Sequence, residues 1–355
     1  MAAKAAPTLK LAQLRAVALR CGIARSGTKP VIHQRILDEA VPAFEQDEPV
    51  RVLSIDMGIR NLAYCMLEVP SKSKTKIPKA ARLTSEKLKI TAWRVQNVIP
   101  TPTREPKADQ PLKGASKLAA TLVGKKPGDE VETSVGNGLE MASEKESFSP
   151  AKLSALAYTF IRHEIMPLSP THILIERQRF RSGSLPHVLE WTIRVNMLES
   201  MLYSVLCTFK AEGIWKGEVT PVAPGKVFPY WFPDDQGVPQ ETSLLTKGRK
   251  TANLNKLNKG RKIDLVRNWL EDESSIVLAS DDAKETAKAY IGKWDRGNGL
   301  GKKRPAKVEN EETERLVKLD DLADSLLQGV AWVHWQENKR ITAQRGISAL
   351  IEDLK

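Results

Sequence analysis

Ser54-Ile55-Asp56-Met57-Gly58-Ile59-Arg60-Asn61 lies between two apolar runs, residues 50–55 and 62–69. Val, Ile and Leu on both sides favour strands, and Gly58 permits a tight connection between them. An acidic residue ending an apolar strand places one carboxylate at the mouth of a sheet. A lone Asp there is most often a turn former. Two later acidic positions change its weight.

Strands are predicted over 50–56, 61–69 and 87–98, with connections that imply an antiparallel meander. Residues 70–85 are rich in Lys, Ser and Pro and read as a long loop. Residues 99–148 carry Pro, Gly, Lys, Glu and Ser with little periodicity and read as a mobile insertion, with a helix around 112–123 as an option. Ser149-Pro150 is a helix start, with Ser as cap and Pro in the first position. Next, Thr171-His172-Ile173-Leu174-Ile175-Glu176 reads as a short buried strand that again ends in a carboxylate. Arg177-Gln178-Arg179-Phe180-Arg181-Ser182-Gly183-Ser184 follows it; guanidinium, amide and aromatic groups on a flexible turn suit phosphate and sugar contacts. A helix over about 186–208 carries two apolar rows, Val188, Trp191, Val195, Leu198, Leu202, Val205 and Leu189, Ile193, Met197, Met201. So broad a stripe implies burial on two sides, in the core or at a dimer seam.

Beyond it a strand is predicted over 215–222 and a short helix over 224–232. Residues 244–262 contain Lys247, Arg249, Lys250, Lys256, Lys259, Arg261 and Lys262 among Asn and Gly. They read as a basic loop for a nucleic-acid backbone, against the plainer reading of a solvated charge run. Helices are expected over 263–270 and 283–291, then a basic loop over 292–305. The third acidic position is Leu319-Asp320-Asp321-Leu322-Ala323-Asp324-Ser325-Leu326-Leu327, a helix start with Leu322, Leu326, Val330 and Val333 inward. Asp321 and Asp324, or Asp320 and Asp324, share a face over one turn. One or two acids in a first turn complement the helix dipole; three in five residues point to a cation site.

The 355-residue chain has room for one large domain with appendages, or for two domains. Its hydrophobic content of 41% supports a core, and its formal charge of +12 points to a polyanionic partner, nucleic acid first. There is no apolar run long enough for a membrane span. Cys21, Cys65 and Cys207 are odd in number and widely spaced, which fits neither a zinc site nor a disulfide framework. The N-terminal 48 residues have no acidic residue before Asp38, and they show two short amphipathic helices separated by Gly22 and by Ser26-Gly27-Thr28-Lys29-Pro30. The alternative is an organelle transit peptide, also basic and acid-poor; the internal Gly and Pro punctuation favours a folded module.

In Leu11, Leu14, Gly22, Ile23, Gly27, Lys29, Ile32, Arg35 and Ile36 this segment resembles a SAP motif, a compact DNA-binding helical element. The succession of three strands, helix, strand, helix, strand and C-terminal helix resembles the RNase H-like fold and its RuvC-type nucleases. The wording of residues 55–63, 175–181 and 320–327 is similar to the fungal mitochondrial Holliday-junction resolvases, some of which carry a SAP-like segment. The resemblance implies an α/β RNase H-like fold with a mixed five-stranded sheet flanked by helices, over 49–355, behind a SAP-like module and linker at 1–48. Mobile insertions are expected near 70–85, 100–148 and 233–260.

By position the resemblance implies Asp56, Glu176, Asp321 and Asp324 as catalytic metal ligands, with Asp320 as a fifth candidate ligand. The cofactor would be Mg²⁺, with Mn²⁺ able to substitute. Phosphodiester hydrolysis needs an activated water and a stabilised leaving oxygen, and hard cations held by carboxylates supply both. Lys29, Arg35, Arg60, Asn61, Arg177, Gln178, Arg179, Arg181, Arg261, Lys262 and Lys318 would bind DNA. The expected partner is four-way junction DNA, cut by a homodimer whose twofold axis matches the substrate's, in the mitochondrial matrix at the nucleoid. No membrane and no small-molecule substrate are expected. Two rival readings are a non-catalytic junction-binding protein and a nucleotide-binding relative of the fold; the second needs a duplicated domain, which the sequence lacks.

Overall fold

The computed structural model describes residues 9–44, 49–70, 87–98, 148–178, 188–233, 248–273, 275–297 and 318–352, with side chains left out for 248–255 and 296–297. Helices α1 (Leu11–Arg20) and α2 (Lys29–Glu39) precede strands β1 (Val50–Asp56), β2 (Leu62–Val69) and β3 (Leu88–Gln96). Helix α3 (Pro150–Thr159) begins at Ser149, whose hydroxyl accepts from Lys152 N. It continues as a π turn over Phe160–Ile165 and a 3₁₀ turn over Met166–Leu168. Then come β4 (His172–Glu176), α4 (Glu190–Ala211), β5 (Glu218–Val222), α5 (Pro224–Trp231), α6 (Gly248–Asp272), β6 (Ile276–Leu278), α7 (Asp281–Gly297), the long α8 (Leu319–Arg345) and a last turn, Ala349–Glu352.

The sheet is mixed, in the order β5-β4-β1-β2-β3-β6. β1, β2 and β3 form the expected antiparallel meander, β4 runs parallel to β1, and β5 runs parallel to β4. The register places Asp56 opposite Ala63 at the end of the β1–β2 ladder, while Glu176 faces Val222 at the end of β4. Because β1 and β4 run parallel, both carboxylates leave the sheet at one edge.

Two expectations are corrected. Among the described residues the sheet has six strands: β6 adds three residues parallel to β3, too short and too flanked by polar residues to stand out in sequence. The basic segment 244–262, expected as a loop inside an insertion at 233–260, is helical from Gly248 onward. Its Asn, Gly and Lys lack an apolar period, but the same helix ends on Val266, Trp269 and Leu270, which are buried in the core, and packing holds helix where propensity is weak. Smaller shifts follow the same logic. α4 starts at Glu190 and ends at Ala211, β5 starts at Glu218, and α7 extends to Gly297 into the expected loop. The expected loop at 70–85, the insertion at 100–148 and its optional helix at 112–123 fall almost wholly outside the described residues.

Each face of the sheet carries its own core. On one side Val52, Cys65, Leu67, Ile90 and Trp93 meet Leu322, Leu326, Val330 and Val333 of α8, with α6 and α7 beyond. On the other, Leu53, Ile55, Tyr64 and Met66 meet α3 and α4 through Ala157, Phe160, Leu198 and Leu202. α8 lies directly on β1 and β2 because Gly329 has no side chain: a Cβ there would stand 2.8 Å from Leu67 Cδ1 and 3.1 Å from Ser54 Cβ. A third core joins α1 and α2 to the far end of α8 and the last turn, with Leu14, Val17, Ile32 and Ile36 against Ile341, Ile347 and Leu350. Gly22, at φ +63°, turns the chain beneath Trp335, and Lys226 donates to its carbonyl at 2.7 Å.

Candidate active site

Three elements bring acids to one edge of the sheet. Asp56 ends β1, Glu176 ends β4, and Asp320, Asp321 and Asp324 occupy the first turns of α8. The approach of α8 is fixed by polar contacts just inside the site. Gln328 Nε2 donates to Ser54 Oγ at 3.1 Å and to Ile55 O at 3.2 Å, and Trp93 Nε1 donates to Leu322 O at 3.1 Å. Ser54 and Gln328 are buried polar groups, which are tolerated in a core only when paired. Their pairing sets the helix one residue away from Asp56. Beside it, a Cβ on Gly58 would stand 2.6 Å from Asn61 O, so the turn after Asp56 closes tightly only with glycine.

The acids sense one another. Asp56 is pushed well above the ordinary carboxyl range, first by burial and then by the charge and hydrogen bond of Glu176, with Asp324 and Asp321 adding to it. Burial and then the charge of Asp320 raise Asp321 to about 6, against the opposing pull of Lys318. Its Oδ2 is buried without a hydrogen-bond partner. Burial raises Asp324 too, opposed by Lys262. Burial also acts on Asp320, but the hydrogen bond and charge of Lys259 outweigh it and hold that carboxyl below its usual range.

Two lysines of α6 enter this cluster. Lys262 Nζ lies 2.5 Å from both Asp324 oxygens, and Lys259 pairs with Asp320. Among the described residues, no three His, Cys, Asp or Glu side chains converge on one cation position; Asp320 and Asp324 are each paired with a lysine instead. The donor set nonetheless fits a hard divalent cation: it is all oxygen, it comes from three elements, and it includes the orphaned Asp321 Oδ2.

The expected nucleic-acid contacts divide. Arg60, Arg177 and Lys318 are exposed around the acids, and Asn61 and Gln178 are partly exposed. With its amide oriented to satisfy both neighbours, Asn61 accepts from Lys318 Nζ at 3.2 Å. Lys29 is exposed at the start of α2, but Arg35 donates to the carbonyls of Ala24 and Ser26, 2.8 Å each, and braces its own turn. Arg261 lies over the Phe232 ring. Lys262, expected on a DNA-contact loop, sits instead on a helix against Asp324. Arg179 and Arg181 lie outside the described residues.

Glu199 was not singled out by its sequence. It accepts from Gln178 N at 3.1 Å, pinning the turn after Glu176. Burial raises its pKa, opposed by the Gln178 amide and Arg177. Burial also pushes Tyr203, one turn on, up to about 12, with Glu199 adding to it. A glutamate inside an amphipathic helix has no local signature; only the packing of α4 beside β4 reveals it.

Fold and site together define a protein that gathers carboxylates from two parallel strand ends and a helix start at one edge of a mixed sheet, within a ring of basic residues. The chain belongs to the family described as mitochondrial resolvase Ydc2 / RNA splicing MRS1, whose model matches residues 52–341. It is 27% identical over 333 residues to the mitochondrial cruciform cutting endonuclease 1 of Schizosaccharomyces pombe, covering 93% of each chain. It is 31% identical over 209 residues to the Saccharomyces cerevisiae protein of that name, covering 55% of this chain and 56% of the other. Its fold matches the crystal structure of the yeast mitochondrial Holliday junction resolvase Ydc2 with a TM-score of 0.52 and 24% identity, over 97% of this chain and all of that one.

Proposed function

We propose that this protein is a mitochondrial endonuclease that resolves four-way DNA junctions by metal-dependent phosphodiester hydrolysis. The observation that carries the reading is the meeting of Asp56, Glu176, Asp321 and Asp324 at one sheet edge, in a chain that aligns along 93% of its length with a cruciform cutting endonuclease. The strand order β5-β4-β1-β2-β3, with an antiparallel meander and two parallel strands, supports an RNase H-like core.

Asp56, Glu176, Asp321 and Asp324 would hold Mg²⁺ or Mn²⁺, with Asp320 beside them. The bound cation supplies an activated water and neutralises charge on the phosphate. The protein does the rest. Burial and the neighbouring acids hold Asp56 above the ordinary carboxyl range, and a cation held there would favour its ionised form. Gln328 and Trp93 fix α8 so that its acids keep their distance from Asp56. Arg60, Asn61, Arg177, Gln178 and Lys318 line the approach and would orient the strand through its phosphates, whose sequence-independent contacts set register.

The two-helix module supports a SAP-like role: Arg15, Arg25 and Ser26 line a groove of about 800 Å³ with Leu11 and Leu19. A homodimer is supported by Leu189, at the N-cap of α4, and Ile193 on it, 60% and 45% exposed, where a second copy would bury them. Matrix and nucleoid association belong to the same reading. No described helix is long and apolar enough to cross a membrane.

The test is a synthetic four-way junction beside a linear duplex of the same sequence, with and without Mg²⁺. Cutting confined to the junction and to Mg²⁺ is expected; equal cutting of both substrates removes junction selectivity. The family's description also names RNA splicing. Binding without cleavage at any Mg²⁺ or Mn²⁺ concentration would therefore favour the non-catalytic reading.

A further inference from the structure

We propose that Lys262 is an exchangeable counter-ion: its ammonium holds Asp324 until a divalent cation takes that carboxylate, and is then freed to contact a phosphate of the bound strand. The inference rests on the nuclease reading and adds a route by which cation and DNA binding are coupled.

The geometry is specific to this lysine. Its Nζ lies 2.5 Å from both oxygens of Asp324 and so occupies the chelating position between them. A hard cation that takes both oxygens needs that same position, so its entry there requires the ammonium to leave. The lysine side chain is 16% exposed, against 58% for Lys259, so it is not a loosely solvated surface charge. Its backbone is held, since the next turn of α6 buries Val266, Trp269 and Leu270. Four methylenes above a fixed Cα let the ammonium swing while the helix stays in place.

Once displaced, the ammonium finds the other carboxylates engaged: Asp320 holds Lys259, and Asp56, Glu176 and Asp321 are the groups that would hold the incoming cation. It would stand at the rim of the site beside the incoming cation. A phosphate oxygen is the group that relieves both positive charges there, and Lys serves phosphate as a mobile point charge. The plainer alternative is a structural ion pair that fastens α6 to α8, and it makes the opposite prediction for cation affinity.

The experiment titrates the full-length protein with Ca²⁺ by calorimetry and measures four-way junction binding against salt, in Ca²⁺ and in EDTA. Lys262→Met removes the competing charge, and Ca²⁺ should bind about tenfold tighter. In Ca²⁺ the slope of log affinity against log salt should fall by about one for the variant, with no such fall in EDTA, where the lysine is engaged with Asp324. Lys262→Gln should behave like the methionine variant, while Lys262→Arg should keep wild-type Ca²⁺ affinity or weaken it. Unchanged or weaker Ca²⁺ binding in folded Lys262→Met and Lys262→Gln, or an equal fall in slope with and without Ca²⁺, overturns the exchange. Wild-type protein that neither prefers nor cuts the junction counts against the nuclease reading itself. Wild-type cleavage alongside unchanged Ca²⁺ affinity in the variants removes the exchange alone.

Discussion

The two ends of α8 follow opposite rules. Its first turns place Asp320, Asp321 and Asp324 near Asp56 and Glu176, where burial and like charge raise three of the five carboxyls. Its last turns bury Trp335, Asn338, Ile341 and Thr342 against α1, α2 and the C-terminal turn. Two polar side chains there are paired: Asn338 Nδ2 donates to Arg20 O at 2.7 Å, and Thr342 Oγ1 donates to Asn338 O; Trp335 Nε1 is buried without a hydrogen-bond partner. The difference shows where the fold gains stability and where it gives some up. One end holds charges that destabilise the protein until a cation or a lysine balances them, and the other provides the packing that keeps the helix in place meanwhile.

The contrast can be broken at either end. The largest effect is expected at the charged end, where Asp56→Asn should lower junction cleavage on the order of 10³-fold while leaving junction binding in place, as measured by single-turnover kinetics and gel shift. Full cleavage by that variant would remove Asp56 from the site. At the packed end, Gly22→Val introduces a Cβ that would lie 2.4 Å from the Trp335 ring, on a backbone with φ +63°. It should cost about 3 kcal/mol in denaturant unfolding, with cleavage per folded molecule little changed.

The charged end can also be relaxed. The Asp321 carboxyl is raised to about 6 in the folded protein, so between its unfolded value near 4 and that value the folded state binds more protons than the unfolded one. Its contribution to stability is therefore present at low pH and lost as pH rises toward 6. Asp321→Asn should stabilise the protein by about 1–2 kcal/mol at pH 8 in metal-free buffer and by almost nothing at pH 4. A melting series that shows no such pH trend would mean the acid cluster is not strained. The smallest effect belongs to Glu199→Gln, which weakens the acceptor for Gln178 N. A loss of about 1 kcal/mol should appear in kcat more than in junction affinity, because it loosens the turn after Glu176 without removing a DNA contact.

Much of the site was legible locally. Asp56, Glu176 and the acids at 320–324 each end or begin an apolar segment, and such boundaries are written in hydrophobic pattern. The two N-terminal helices were legible for the same reason. Lys259 and Lys262 were misplaced because a run of Lys, Asn and Gly has no helical period of its own; α6 exists because its C-terminal half is buried. Glu199 was invisible because its role depends on which strand α4 lies beside. Whether the dual apolar rows of that helix lie in the core or at a seam was not legible: within one chain Val188, Leu189, Trp191 and Ile193 are all at least 40% exposed.

The element types around each acid, the antiparallel start of the sheet and the basic character that calls for a polyanion can all be read along the chain. These are short-range properties, set by alternation, by turn-forming residues and by charge count. That β4 runs parallel to β1, that Gly329 lets α8 lie on both β1 and β2, and that Lys262 reaches Asp324 across 62 residues of chain emerge only from packing. Each of these depends on which surfaces pack together, and that choice is made by the whole core rather than by any one segment.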